Sequence, residues 1–437
     1  MKGAARPDAV RQAALHMLWA VGEGATLDEA GTVAQSLPAG QDPAKRARAR
    51  RLAMETLRRV GPADALLAPM LKRRPRPDML WLLRLAVTEM LALGEAPHGV
   101  VNASVALARS TGRKGQEAAG MVNAVLRRVS EMGEPWARLS PQELPDWLRG
   151  PVVAAWGEDA ARAIEAAHQA GAPIDLTVKP GLSAPGQPLP TGSFRQPPGV
   201  QVSALPGYEA GDWWVQDAAA ALAVGLLAPT PSERIADLCA APGGKTLQLA
   251  AAGGDVTAID ISESRLARVA ENLARCGLKA QLVIADALTW RPDAPADGRT
   301  DALPDALFDA VLLDAPCSAT GTIRRHPELP HIRDGAGVAE LAALQARLID
   351  HALTLLRPGG RLVYATCSLL PAEGEEQLAA ALARHPGLTV EPPQIDGIEP
   401  GWVTASGALR LRPDFWAEQG GMDGFFIMRL RTADRVT

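Results

Sequence analysis

Two cysteines of this chain sit in closely similar settings: Cys317 in Leu313-Asp-Ala-Pro-Cys-Ser318, and Cys367 in Ala365-Thr-Cys-Ser368. Each lies just past a short apolar run and directly before a serine. Cys239 and Cys276 bring the total to four, which is no disulfide framework for 437 residues. No pair has the CxxC spacing of a zinc site, and no metal centre is expected. A free cysteine is by default a small buried hydrophobe; that reading is adopted for Cys276 and, in the main, for Cys239. Cys317 and Cys367 invite another. If the strands before them are neighbours, those strands lie ~4.8 Å apart and both thiols reach one pocket. The chemistry that needs such a pair is covalent catalysis on an electron-poor ring. Carbon 5 of cytosine is too poor in electrons to attack a methyl sulfonium. Thiolate addition at carbon 6 converts the ring to an enamine and makes carbon 5 nucleophilic. Asp314 is placed to hydrogen-bond N3 and help the addition, a second thiol can act as base when the carbon 5 proton leaves, and a cation such as Lys245 would favour the thiolate. Spacing does not order the two cysteines.

These side chains need a scaffold that delivers them to one edge. From about residue 212, short β-branched runs alternate with Ala/Leu-rich helical stretches. The expected strands are Arg234–Asp237, Asp255–Ile259, Gln281–Ile284, Ala310–Leu313 and Arg361–Tyr364, with a closing strand over Gly424–Met428. Such alternation predicts an α/β fold, a mostly parallel Rossmann-like sheet covered on both faces, whose ligands bind beyond the carboxyl ends of the strands. Arg291–Asp305 is Pro/Asp/Gly-rich and is expected to be a surface loop.

Ligand-binding residues are therefore expected directly after the strands. Asp237-Leu-Cys239-Ala240-Ala241-Pro242-Gly243-Gly244-Lys245-Thr246 ends like a P-loop. Cys239 stands where the Walker pattern needs glycine, and Pro242 removes a backbone donor, so a nucleoside triphosphate is disfavoured. The small residues instead let an adenosine-containing ligand approach a strand-to-helix turn. Asp260 lies 17 residues past Gly243, the spacing of a carboxylate that accepts from ribose hydroxyls; it could equally cap the helix that follows. Arg265 comes next on that helix. Asp286 follows the third strand and could accept from an adenine amino group, or simply make a turn.

Residues 1–145 read differently. Apolar residues recur at helical spacing in Leu80–Leu91, with Asp78 as a candidate cap and Gly94 as a stop. Val100–Ala108 and Met121–Val129 form two further helices around a turn at Gly112–Gly115. Residues 1–130 hold 20 Lys and Arg against 11 Asp and Glu in a chain of net charge −4, so a basic module precedes an acidic one and suggests a polyanionic partner. Its densest runs are Lys45–Arg51, Arg58-Arg59 and Lys72–Arg76. Residues 146–204 are expected to be a linker and small connecting subdomain, with a strand at Ile174–Val178 and an irregular Pro/Gly-rich piece over 181–200. The third module is 205–437. A composition of 47% hydrophobic and 22% charged residues excludes a disordered or fibrous chain. The longest apolar stretch, Ala218–Ala228, falls far short of the ~18 residues of a membrane span. Arg11, Glu23 and Asp28 interrupt any apolar leader. A cytoplasmic protein, by default monomeric, is expected.

Asp237–Thr246, Asp314–Gly321 with Arg324-Arg-His-Pro327, and Thr366-Cys367-Ser368 together resemble the Sun-type RNA 5-methylcytosine methyltransferases. The resemblance runs over about 205–432 and includes Trp214-Val-Gln-Asp217 and Asp423-Gly-Phe-Phe426. The N-terminal part, through Val101-Asn102 and Met121–Arg128, resembles the RNA-binding NusB fold. The resemblance implies S-adenosyl-L-methionine as cofactor, held by Cys239–Lys245, Asp260, Arg265, Asp286 and Asp314. It implies Cys367 as the attacking thiol, Cys317 as the thiol that aids release, and a cytosine of 16S ribosomal RNA as substrate. Two departures stand out: Leu176-Thr-Val-Lys179-Pro180 replaces an Arg-x-Asn signature, and Leu369–Glu376 lacks the usual Glu-Asn. A ribosome-assembly factor with an inactive methyltransferase fold is the competing class, and the presence of both thiols argues against it. Amino-group methylation would want an aromatic residue after Pro-Pro, where Asp314-Ala-Pro-Cys317 stands instead.

Overall fold

The computed structural model describes residues 8–34, 42–132, 136–292 and 307–434. Its contacts divide the chain into two compact units, one of residues Met1–Gly171 with Ile323–Asp334, the other of Ala172–Thr322 with Gly335–Thr437.

The first unit is helical: α1 (Ala9–Gly22), α2 (Leu27–Ala34), α3 (Pro43–Leu57), α4 (Val60–Leu67), α5 (Pro77–Leu91), α6 (Pro97–Ser110), α7 (Arg113–Ser130) and α8 (Asp146–Ala170). Local chemistry sets their starts. Asp8 accepts from the backbone N–H groups of Val10 and Arg11, and Asp42 from those of Ala44 and Lys45, each supplying an acceptor that a helix N-terminus lacks. Prolines open α3, α5 and α6, where a missing N–H is harmless. Asp78 lies inside the first turn of α5, and Arg76 occupies the cap position expected for it. α6 and α7 pack so closely that a Cβ on Gly115 would lie 2.1 Å from the carbonyl oxygen of Ala108. The apolar stripes meet in one core that includes Leu18, Leu57, Leu67, Trp81, Leu83 and Leu126.

Two boundaries differ from those expected. α8 joins the helical unit, because Leu148, Val152, Ala161 and Ile164 are buried there and Arg149 pairs with Glu158 and Glu165 on the same helix. Residues 181–200 join the other unit. They supply β2 (Gln187–Pro188) and β3 (Phe194–Gln196), which with β1 (Ile174–Val178) and β4 (Trp213–Val215) make an antiparallel sheet in the order β2-β3-β1-β4. Asp175 of β1 and Arg195 of β3 meet in a buried two-bond pair at 2.7 Å, an interaction that composition could not reveal.

The second unit carries the large sheet: β5 (Arg234–Leu238), β6 (Asp255–Asp260), β7 (Gln281–Ile284), β8 (Phe308–Asp314), β9 (Leu356–Thr366), β10 (Thr389–Val390), β11 (Leu409–Leu411) and β12 (Phe425–Arg431). The order is β10-β12-β9-β8-β5-β6-β7, with β11 also on β12. β5 to β9 pair in parallel, and β12 pairs antiparallel with β9. Helices α9 (Ala218–Leu227), α10 (Gly244–Ala251), α11 (Glu263–Arg275), α12 (Leu329–Ile332, in the helical unit), α13 (Val338–Thr354) and α14 (Glu375–Arg384) follow among the described residues. Two apolar layers cover the sheet, one including Leu238, Val311, Leu348 and Tyr364, the other Leu222, Ile235, Leu312 and Val363. The chain runs β5, β6, β7 toward one edge and returns through β8 and β9 on the other side of β5, so the direction of winding reverses beside β5, where such sheets bind ligands. Most of the loop expected at Arg291–Asp305 lies outside the described residues. Among the described residues, no helix is long and apolar enough to cross a membrane.

Candidate active site

β8 and β9 are parallel neighbours, with Asp314 in register with Ala365. Beyond their carboxyl ends the chain turns twice, and the two turns are tied to each other: Ala315 N–H donates to Ala365 O, and Gly321 N–H to Cys367 O, both at 2.9 Å. Gly321 has no room for a side chain, because a Cβ there would meet the Gly424 carbonyl oxygen at 2.0 Å. The result places Cys317 Sγ 3.4 Å from Cys367 Sγ, with both cysteines partly buried. The Cys317 thiol is held well above the usual thiol range, first by its hydrogen bond with Cys367, then by burial and by the charges of Cys367 and Glu373.

The turn after β5 is the second component. Cys239 takes φ +60° and Gly243 φ +100°, and a Cβ on Gly243 would come within 2.9 Å of the Val269 side chain, so glycine is required for the backbone to lie this close to α11. Asp237, without exposed surface, accepts from Thr246 Oγ1 at 2.6 Å. Its second oxygen has no partner, and burial pushes its carboxyl up to about 7. Burial, with the charges of Asp314, Asp260 and Asp237, also pushes the Cys239 thiol up to about 12. Cys239 is therefore an inert thiol, and Cys276, 1% exposed, is a core residue.

Asp260 accepts from Ala241 N–H at 3.0 Å and from Ser262 N–H at 2.9 Å. The cap of α11 is Ser262, not Asp260, so Asp260 braces the β5 turn instead. Arg265 donates to the Ala241 carbonyl and approaches Asp260 at 3.7 Å. Asp286 is exposed and accepts from Leu288 N–H at 2.9 Å. Lys245 Nζ sits 2.7 Å from Asp314 Oδ2 and 5.4 Å from the centre of the Phe425 ring. This ammonium is committed to a carboxylate, which corrects the expectation that it serves as counter-charge to a thiolate.

Residues 224–431 match the family model for 16S rRNA methyltransferase RsmB/F, and residues 8–131 that for the NusB family. The chain is 36% identical to ribosomal RNA small subunit methyltransferase B of Xanthomonas campestris over 97% of either chain. It belongs to the RsmB/F family of rRNA methyltransferases. The corresponding protein of Xylella fastidiosa is 37% identical over 91% of this chain and 94% of its own. The crystal structure of PH0851 shares the fold, with TM-score 0.70 over 96% of this chain and 98% of that one at 24% identity. A methyltransferase homologue from Pyrococcus horikoshii superposes with TM-score 0.52 at 28% identity, over 65% of this chain and 93% of its own. As an RsmB/F-family member, the chain is an S-adenosylmethionine-dependent rRNA (cytosine-5-)-methyltransferase, of a family that works through a covalent cysteine.

The β5 turn fits that cofactor. It has a buried carboxylate oxygen on Asp237 without a partner and two exposed apolar side chains, Ile261 at 71% and Ile284 at 58%, beside Asp260 and Asp286. Sequence reasoning missed the residues that hold the thiols. Ser318, Ser368, Thr320, Gln345 and Glu373 form a buried network behind them. The missing Glu-Asn is half present: Glu373 is there, followed by Gly374, where a Cβ would strike Arg410 Nη2 at 2.2 Å.

Proposed function

We propose that this chain methylates carbon 5 of a cytosine in 16S rRNA, with Cys367 as nucleophile and Cys317 as the group that resolves the intermediate. The observation that carries the reading is the 3.4 Å approach of the two sulfurs beyond the carboxyl ends of neighbouring parallel strands. The Cys367 thiolate adds to carbon 6, forming an S–C bond and moving the ring's π electrons onto carbon 5. Asp314, oriented by Lys245, accepts from the amino group beside N3 and holds the ring in place for the addition. S-adenosylmethionine, held by Cys239–Lys245, Asp260, Arg265, Asp286 and Asp314, supplies the methyl group when bound. Cys317 then passes its proton to the Cys367 sulfur as the S–C bond breaks and takes the carbon 5 proton in its place, so carbon 5 and carbon 6 regain their double bond. Reaching the base edge requires an unpaired or flipped cytosine.

The helical unit meets the RNA backbone. Lys45, Arg48 and Arg51 on α3 and Lys72, Arg73 and Arg74 before α5 are exposed and supply the salt-sensitive part of affinity. Arg58 and Arg59 leave this set. Arg58 is 7% exposed, donates to Arg324 O at 2.7 Å, and like Arg59 pairs with Glu55. The acting form is a monomer in the cytoplasm, where bacterial rRNA is made.

The test is tritium transfer from labelled S-adenosylmethionine to unmodified small-subunit rRNA, with wild type and Cys367→Ala in parallel. Wild type is expected to label 5-methylcytosine, and the variant to fall about a thousandfold or more while still binding RNA. A labelled product from Cys367→Ala would falsify the assignment of the nucleophile. No label from folded wild type would favour the ribosome-assembly reading.

A further inference from the structure

Glu373 has no exposed surface and is satisfied without a cation. Its Oε1 accepts from Ser318 N–H at 2.9 Å and from Gln345 Nε2 at 3.0 Å. Its Oε2 accepts from Ser318 Oγ and Ser368 Oγ, each at 2.5 Å. These four bonds fill the acceptor sites of a carboxylate, and among the described residues none comes from a charged group. Burying a carboxylate this way costs more than an apolar filler of the same shape would, so stability does not explain it. The partners do: Ser318 directly follows Cys317, and Ser368 directly follows Cys367.

The surroundings hold this carboxylate in place. Glu373 O accepts from Tyr364 OH and Thr366 Oγ1, both at 2.9 Å, which folds the segment back onto β9. Gly374 leaves space for Arg410, whose Nη1 donates to Ser368 O at 2.6 Å and whose Nε donates to Glu375 at 2.9 Å.

We propose that Glu373 is a positioning residue: by gathering the serines after both cysteines it sets the two thiols against each other and assigns them different roles. This rests on the reading of Cys367 and Cys317 as the reacting pair. The charge of this carboxylate raises the Cys317 thiol further, after the hydrogen bond with Cys367, burial and the Cys367 charge. A Cys317 thiol that keeps its proton can donate it to Cys367 across 3.4 Å.

The experiment uses the full-length protein free of RNA and cofactor, alkylated with iodoacetamide and read by peptide mass spectrometry at each cysteine. Wild type should be modified first at Cys367. Glu373→Gln keeps the size and an acceptor for Ser318 N–H, and the two hydroxyls can rotate to accept from its amide. The share of label on Cys317 should rise severalfold, because one of the charges that raise its thiol is gone. In rRNA methylation, kcat should fall about tenfold with KM for RNA unchanged. Glu373→Asp keeps the charge but shortens the reach; its label should stay on Cys367 while kcat still falls. A folded Glu373→Gln protein with the wild-type label distribution, or Glu373→Asp with wild-type kcat, overturns the proposal. Cys367→Ala run alongside separates the two readings: retained methylation sinks the reacting pair itself, whatever the alkylation shows.

Discussion

The turn after β5 and the paired loops after β8 and β9 each enclose a carboxylate that water cannot reach, and the two are treated in opposite ways. Asp237 accepts one bond, from Thr246, and keeps one oxygen without a partner. Glu373 accepts four, from Ser318, Ser368 and Gln345. A buried acceptor left open costs free energy until something fills it, whereas a filled one fixes geometry. The β5 turn is thus arranged to receive a ligand, with its open oxygen. The thiol loops are closed on themselves before any substrate arrives. Methyl transfer asks for this division: the cofactor must come and go at every turnover, while two sulfurs must keep one separation through addition and elimination.

The largest effect expected on the closed side is that of Cys317→Ala. With the base removed and the nucleophile intact, addition proceeds and release stalls. Turnover should fall about a hundredfold, and a slow-migrating protein–RNA band that survives denaturation should accumulate with unmodified rRNA and S-adenosylmethionine. Loss of turnover with no such band would mean that Cys317 acts before the covalent step, and the division of labour between the sulfurs would have to be reversed.

The two regions were legible in the chain to different degrees. Strands ending at Leu238, Asp260, Ile284, Asp314 and Thr366 show as β-branched runs, because a parallel sheet buried on both faces demands them; Gln281–Ile284 and Ile174–Val178 fall where pattern placed them. Cys317 and Cys367 could be brought to one edge by that pattern alone. Glu373 could not, since its meaning comes from serines 55 and 5 residues away and a glutamine 28 residues away, and its own neighbourhood shows only an acidic turn. Asp260 and Ser262 are both good capping residues two positions apart, and only the bond from Ala241 N–H reveals which is used for the cap and which for the turn. Residues 323–334 read as part of the catalytic domain, yet they pack in the helical unit, where His331 meets Leu57 O and Trp147 meets Arg333 O. Long-range hydrogen bonds of this kind have no periodicity to betray them.

The open side makes a prediction of intermediate size. Burial holds the Asp237 carboxyl at about 7 against an ordinary value of 3.8. Between those two values the folded chain keeps a proton that the unfolded chain has released. The stability this group contributes is therefore fully present below about 4 and is lost as pH rises through 7. Asp237→Asn has no proton to lose and can still accept from Thr246. In denaturant titrations without ligand, the variant should gain about 2–4 kcal/mol over wild type at pH 8, and the gain should vanish toward pH 4. A wild type that remains the more stable at pH 8 would show that the ionised carboxylate is compensated by its surroundings, and the contrast with Glu373 would collapse.

The smallest expected effect sharpens the comparison from the closed side. Ser368→Ala removes one of the four donors to Glu373 and the acceptor for Leu370 N–H, but leaves the carboxylate, both cysteines and the bonds from Ser318 and Gln345. A single hydrogen bond within a satisfied network is worth about 1 kcal/mol. Melting should shift by a few degrees, and kcat should fall only about threefold, with iodoacetamide label still directed to Cys367. If the loss instead equals that of Glu373→Gln, the network acts as one unit through Ser368, and the hydroxyl beside the nucleophile, rather than the carboxylate behind both sulfurs, sets the geometry of the pair.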